Sequence, residues 1–563
     1  EKAFEIYEKL LKNDPENVAY QSNVAMTLKN LGNLSYLEGN YSIALELCSE
    51  ARKYALGSAN LGLLSKIYWF LGGCYEKLID NDRAFTSYKE SIECIESIRS
   101  QCSIEEIKMD IMWDKSTTYS DMVSFLCTKV SDPENAWGYL GRVKSRTLLD
   151  SLRYLELEAP ANVPEELLVN EKQLLESIRS LDRLIRKTEK TDEIAQLTQK
   201  VKEREAELNE VYNRILEFSP EYVDMRKGQP FRIKEIKELI GSQTKKTAFV
   251  EYYTTDDKIF IFVMRSDEKI PKVKIIDFTE ESLLINIQTY FSEIIEMQGR
   301  AGEMWTKLSE YLIEPVFGYI KDCELTYLVP HGLLHYLPLH ALFAENKRLI
   351  EYFPIVYIPS LTALKYSQNK PARKLESCLS IGYTPNENEK EIFEGEAKLV
   401  AKLFDVEPKL GTEATSNILK NASNDVIHIS CHGGFDWENS LNSGLRLADK
   451  DLKMKEIFDL NLSTNLLVLS ACETGLNGQR PGDELIGLTR AFLYAGAGSL
   501  IVSLWSVGAA STFEFMEKFY RKIKEEKMTK AEALQQVQVE FIHDKRYSNP
   551  YLWAPFVLIG DWK

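Results

Sequence analysis

The chain has no Cys-x-x-Cys pair, and its nine cysteines stand singly at 48, 74, 94, 102, 127, 323, 378, 431 and 472. That dispersal gives neither a zinc-ligand spacing nor a disulfide framework, and it fits a reducing compartment. Histidine is scarce, at six residues. His331 and His335 are four apart, but Pro330 and Gly332 read as a turn rather than one helical face, and His340, His428 and His543 form no ligand set. No metal and no cofactor is therefore expected. Basic residues are in deficit, 69 against 85 acidic, for a formal net charge of −16. Dedicated nucleic-acid binding needs clustered Lys and Arg against phosphate, so direct nucleic-acid binding is not expected. No apolar run approaches the roughly 18 residues that span a bilayer, and the start does not read as a signal peptide. A cytoplasmic location without membrane contact is the expectation. At 563 residues the chain is too long for one core, and three or four domains are expected.

What is present falls into regions. Up to about residue 155 the chain repeats itself: Leu31-Gly32, Ala44 and Ala51 recur as Leu71-Gly72, Ala84 and Ser91, forty positions on. Tyr68, Leu71, Gly72, Tyr75, Ala84 and Tyr88 follow the order of a tetratricopeptide repeat, in which small residues let two helices approach and large ones fill the groove. Ala3, Tyr7 and Pro15 have the register of a second repeat helix, so further residues are expected before Glu1. Arrays of this kind bind protein on a concave face. Residues 156–227 are charged, with Leu, Ile and Val at three- and four-residue steps on either side of 187–192, which predicts a helical hairpin.

From 228 onward the pattern predicts an α/β fold. Strand-like runs at 247–253, 259–264, 325–329, 355–358, 378–382, 426–430, 465–470 and 499–504, several of them continuously apolar, alternate with helical stretches such as 394–403 and 512–525. Continuously apolar strands belong to a mostly parallel sheet covered by helices on both faces. Such sheets place their sites at the carboxyl ends of strands. Two runs end in reactive residues: VIHIS leads into Cys431-His432-Gly433-Gly434, and LLVLSA leads into Cys472-Glu473-Thr474-Gly475. An imidazole near a thiol supplies the base that makes it a nucleophile, and a glycine lets backbone N–H groups approach an oxyanion. His432 and Cys472 are the candidate catalytic pair, with the N–H groups of Gly433 and Cys472 as oxyanion donors. Cys431, one residue before His432, faces the other side of its strand and reads as structural. No third member is evident.

At these residues the sequence resembles the CHAT family of cysteine peptidases, related to caspases and separase. The stretch 467–507 carries the family's most specific signature, HISCHGGFD (428–436) its histidine motif, and LVPHGLLHYLPLHAL (328–342) and YIPSLTAL (357–364) motifs of its non-catalytic half. The resemblance covers roughly 228–563 and extends to the repeats, with 141–152 as the junction. It implies a caspase-hemoglobinase-like fold with a non-catalytic half at 228–374 and a catalytic half at 375–563. It also implies a His432/Cys472 dyad working through a thioester, and a substrate cleft lined by 499–507. Ser503, Trp505, Gly508 and Asp483 are the cleft candidates, with Glu484 and Asp436 as further sources of charge. Where relatives carry acidic residues after Leu-Trp-x-Val, this chain has Gly508, Ala509 and Ala510, so a basic P1 side chain is not indicated.

The resemblance further implies a protein substrate and a protein regulator docked on the repeats. Its setting would be prokaryotic antiviral defence, with gasdermin-like or CRISPR-associated targets. The Gly- and Pro-containing segment 476–483 is the expected switch, ordering when the regulator binds. Two other readings stand beside it: a catalytically inert scaffold or binding module, and a peptide ligase using the same thioester.

Overall fold

The structure is a computed structural model. It describes residues 2–100, 117–152, 162–187, 191–219, 222–223, 233–296, 303–361, 363–364, 375–434, 443–457, 460–470, 488–489, 491–493, 495–505, 507 and 509–563. The chain forms two compact units, one of Glu1–Tyr154 with Glu158–Gln229, the other of Leu155–Leu157 with Pro230–Lys563.

The first unit is helical: α1 (Lys2–Asn13), α2 (Val18–Leu37), α3 (Tyr41–Gly57), α4 (Leu61–Lys77), α5 (Asn81–Ser100), α6 (Pro133–Leu152), α7 (Glu165–Lys187) and α8 (Thr191–Ile215). Short connections fold α2 on α3 and α4 on α5. The expected small-against-large packing is present. A methyl on Gly32 would fall 2.7 Å from the Cys48 sulfur, and one on Gly72 would fall 2.7 Å from the Tyr88 ring. Val24, Ala25, Ala51, Ala55, Leu64 and Ile67 close the core between the pairs. Asparagines start two of these helices: the side chain of Asn17 accepts from the Tyr20 N–H and that of Asn60 from the Leu63 N–H. In the hairpin, α7 packs on α8, and Leu174, Leu175 and Ile178 of α7 and Val201, Leu208, Val211 and Ile215 of α8 are all buried.

The second unit is built on one eleven-stranded sheet. Its strands are β1 (Thr247–Thr254), β2 (Lys258–Arg265), β3 (Lys272–Asp277), β4 (Leu325–Val329), β5 (Ile355–Tyr357), β6 (Cys378–Tyr383), β7 (Lys409–Leu410), β8 (Val426–Cys431), β9 (Leu466–Ser470), β10 (Ser499–Ser503) and β11 (Phe556–Gly560). Their order is β3-β2-β1-β4-β5-β11-β10-β9-β8-β6-β7. Pairing is antiparallel within β3-β2-β1 and between β10 and β11, and parallel elsewhere. Every residue of β4, β5, β8 and β10 is buried, as their mostly apolar character predicts.

Three helices of this unit are α9 (Lys390–Phe404), α10 (Ala509–Lys524) and α11 (Lys530–His543). Helix α9 lies on β6 and β8 and packs against α10. It comes close to the sheet because Gly382 on β6 has no side chain: a methyl there would meet the Ala397 methyl and the Phe393 carbonyl oxygen, each at 2.8 Å. Helix α11 opens with a capping box, in which Thr529 and Glu532 satisfy each other's backbone N–H groups.

Candidate active site

The site begins with strand register. β8 and β9 are parallel neighbours, with Val426 opposite Leu466 and Ser430 opposite Ser470. His432 follows Ser430 by two residues, and Cys472 follows Ser470 by two. The two reactive positions therefore follow the same ends of adjacent strands. Cys472 itself, Asp483, Glu484, Asp436, Gly508 and the segment 476–483 lie outside the described residues.

Alternation along β8 sends His428, Ser430 and His432 to one face, toward α9. The start of α9 receives them in order. The Glu389 carboxylate lies 2.7 Å from His432 Nε2. Thr384 Oγ1 stands 3.3 Å from His432 Nε2 and donates at 3.3 Å to the same Glu389 oxygen. The Asn386 N–H donates to Thr384 Oγ1 at 3.1 Å and holds it in place. The Phe393 ring lies against the imidazole, centroids 4.5 Å apart and tilted by 54°. His432 and Glu389 keep 23% and 33% of their side-chain surface, so the pair opens to solvent. The hydrogen bond to His432 holds the Glu389 carboxyl below the usual carboxylate range.

Deeper on the same face, Ser430 donates to Glu396 at 2.8 Å, and His428 Nε2 lies 3.4 Å from the other Glu396 oxygen. His428 Nδ1 meets Tyr520 Oη of α10 at 3.1 Å. His428, Ser430 and Glu396 are all buried, so this polar group anchors α9 and α10 to β8 from inside. Cys431, on the opposite face of the strand, is fully buried.

Gly433 begins a short ladder in which Gly433 faces Leu445 and Gly434 faces Gly444. The Arg446 N–H donates to the His432 carbonyl at 2.8 Å. That bond makes Gly433–Leu445 a non-hydrogen-bonded pair, so the Gly433 N–H is directed away from this ladder.

The cleft candidates are placed differently from one another. Ser503 and Trp505 are buried, and their polar atoms are used within the protein: Ser503 donates to the Trp505 carbonyl at 2.5 Å and Trp505 Nε1 to the Tyr551 carbonyl at 3.0 Å. The backbone of β10 is paired on both edges, with β9 and with β11, and the Leu504 N–H donates to the Pro555 carbonyl. A peptide strand therefore has no edge to join along Ser499–Ser503, and a cleft lined by 499–507 offers free backbone only beyond that strand.

Glu389 and Thr384 are the site residues that the sequence did not reveal. Glu389 lies 43 positions before His432, in a run of Asn, Glu and Lys with no spacing signature. The available signal was topological: Thr384 follows the end of β6, and β6 is the other neighbour of β8.

By fold and site, the second unit is an α/β protein of mixed, mostly parallel sheet with a histidine–carboxylate pair at its strand ends. Residues 303–561 match the family model described as CHAT domain. The chain carries a CHAT domain, preceded in sequence by tetratricopeptide-like helix pairs. Tetratricopeptide repeat protein 28 is similar in two species: the Mus musculus protein is 27% identical and the Homo sapiens protein 26%. Each match covers 42% of this chain and 12% of the relative, so the chain spans a small part of the length of these curated relatives. Among solved structures, the Saccharomyces cerevisiae separase–securin complex matches at 11% identity and a TM-score of 0.41, covering 99% of this chain and 55% of that chain. A second structure of that complex gives 12%, 0.38, 99% and 56%. Among the described residues, no helix is long and apolar enough to cross a membrane.

Proposed function

We propose that this chain is a cysteine endopeptidase in which His432 is the base and Cys472 the nucleophile. The observation that carries this reading is the parallel register of Ser430 with Ser470, which supports a common origin for the two loops that hold the dyad. The thiol proton passes to His432 and the thiolate attacks the scissile carbonyl carbon. The Gly433 and Cys472 N–H groups take the oxyanion, for which the outward direction of the Gly433 N–H is suited. As the C–N bond breaks, the imidazolium returns the proton to the leaving amine. Water then attacks the thioester, giving its proton to His432, and the carboxylic acid product leaves as the thiol is restored.

The substrate is a protein, and a protein regulator docked on the helical repeats switches cleavage on. A defence setting with a pore-forming or CRISPR-associated target follows from the resemblance of residues 428–436 and 467–507 to CHAT peptidases. Domain boundaries near 155, 227 and 374 belong to the same proposal, as does charge from Asp483 beside the P1 side chain.

The test incubates the intact chain with a proteome-derived peptide library and reads new termini by mass spectrometry. Cleavage that disappears in both Cys472→Ala and His432→Ala supports the reading. Cleavage that survives Cys472→Ala removes it. Amine adducts in place of free carboxyl termini replace hydrolysis with ligation. No new termini from the wild-type chain, alone or with a cell lysate as the source of regulator, favours the inert scaffold.

A further inference from the structure

We propose that Glu389 is a positioning residue for His432, accepting the Nε2–H of the imidazole so that the ring's lone pair lies on Nδ1, the nitrogen that takes the thiol proton. The inference rests on the peptidase reading above and adds a third member to its dyad.

The geometry assigns the tautomer. A neutral imidazole carries one N–H, and an ionised carboxylate only accepts. A carboxylate oxygen 2.7 Å from Nε2 therefore puts the hydrogen on Nε2. Thr384 spends its own hydrogen on the same Glu389 oxygen and receives one from the Asn386 N–H, so it steadies the carboxylate.

A purely structural role for Glu389 would be to cap the helix it precedes. Glu389 occupies the N-cap position of α9, yet its side chain makes no capping hydrogen bond there. The carboxylate is turned to the imidazole. Phe393, one helical turn on, contacts the ring as well, so one helix start sets both contacts. Helix α9 is itself held to the sheet by the Gly382–Ala397 approach and the buried Glu396–Ser430 bond, which makes the support rigid.

The proton account closes. The cysteine S–H proton moves to Nδ1, giving an imidazolium whose Nε2–H still points at Glu389. The carboxylate stabilises that charge without taking the proton. Nδ1–H then protonates the leaving amide nitrogen, and the neutral ring with Nε2–H is restored for the water step.

The experiment compares the wild-type chain with Glu389→Gln, Glu389→Asp, Cys472→Ala and Cys472→Ala combined with Glu389→Ala. The first readout is the rate at which iodoacetamide alkylates Cys472, mapped by mass spectrometry, which needs no identified substrate. An amide offers N–H as readily as C=O, so Glu389→Gln releases the tautomer; alkylation falls about tenfold to a hundredfold, and Glu389→Asp recovers part of it. The second readout is the long-range 15N–1H spectrum of the histidine rings in the Cys472→Ala chain. It shows the Nε2–H form of His432 with Glu389 present and a tautomer mixture with Glu389→Ala. An unchanged alkylation rate in Glu389→Gln, or an unchanged tautomer in Glu389→Ala, overturns the inference. The spectrum does not depend on peptide cleavage, so it judges the pair even if cleavage proves independent of Cys472 and the peptidase reading falls.

Discussion

Gly382 of β6 and Ala397 of α9 meet with no space between them: a methyl on Gly382 would stand 2.8 Å from the Ala397 methyl and 2.9 Å from the Glu394 Cα. This contact sets the height of α9 above the sheet, and hence where Glu389 and Phe393 meet His432. Gly382→Ala is expected to push the helix outward and destabilise the second unit by about 1–3 kcal/mol. Thermal unfolding reads the stability loss. The His432 ring spectrum should change with it, since the helix start moves.

Glu396 is the buried counterpart of Glu389. Replacing it with Ala leaves Ser430 Oγ without its acceptor and His428 facing a void, in a region closed to water. The expected cost is about 2–4 kcal/mol, with Glu396→Gln costing less because it keeps an acceptor for Ser430. Urea unfolding of the three chains orders them wild type, Gln, Ala. Equal midpoints for Ala and wild type would show that this group anchors nothing.

In the helical unit, Gly72 admits the Tyr88 ring, whose hydroxyl donates to Glu76 at 2.9 Å. Gly72→Val drives the ring out and breaks that bond, with a loss of about 2–3 kcal/mol. The loss of ellipticity at 222 nm should move to lower temperature, while His432 and its partners keep their spectra.

His340 gives a pH dependence. Burial lowers its pKa to about 3. The Gln538 amide nitrogen stands 3.1 Å from its Nε2 and also donates to the Trp553 and Phe556 carbonyls, so a donor already faces the position a second proton would take. The unfolded imidazole binds a proton below about pH 6.5, whereas the folded one does not until about pH 3. Stability from this group is therefore complete above pH 6.5 and is lost as the pH falls toward 3, at about 1.4 kcal/mol per unit. Between pH 6.5 and 5 the second unit should lose about 2 kcal/mol through His340 alone. His340→Asn should flatten that slope in urea unfolding; an unaltered slope would assign it elsewhere.

Labelling at Cys472 should stand out from a quiet background. Burial raises Cys48, Cys127 and Cys378 to about 12 and Cys74, Cys94 and Cys323 to about 11. Near pH 7.5 these thiols are almost wholly protonated, and protonated thiols alkylate slowly. Site mapping after brief iodoacetamide treatment should find them unmodified.

Much of this was legible without coordinates, because it depends on neighbours along the chain. The mostly apolar runs at 325–329 and 426–430 became β4 and β8, strands buried on both faces. Gly32, Gly72 and Ala84 announced the close helix pairs because small side chains are what allow close approach. The strand-end position of His432, and the opposite face for Cys431, followed from the two-residue period of a strand.

Tertiary structure decided what depends on distant parts of the chain. Sequence order placed the C-terminal run Phe556–Gly560 after everything else, yet it lies mid-sheet as β11, antiparallel to β10 and parallel to β5. That placement closes the second edge of β10 and limits where a peptide strand can bind. The adjacency of β8 and β9, and the register that sets Ser430 opposite Ser470, came only with the structure. Glu389 needed the most: its carboxylate meets His432 only because β6 lies beside β8 and Gly382 lets α9 come down on both. Local periodicity writes faces and strand ends into a sequence, whereas a hydrogen bond between residues 43 apart is written only by the packing that joins them.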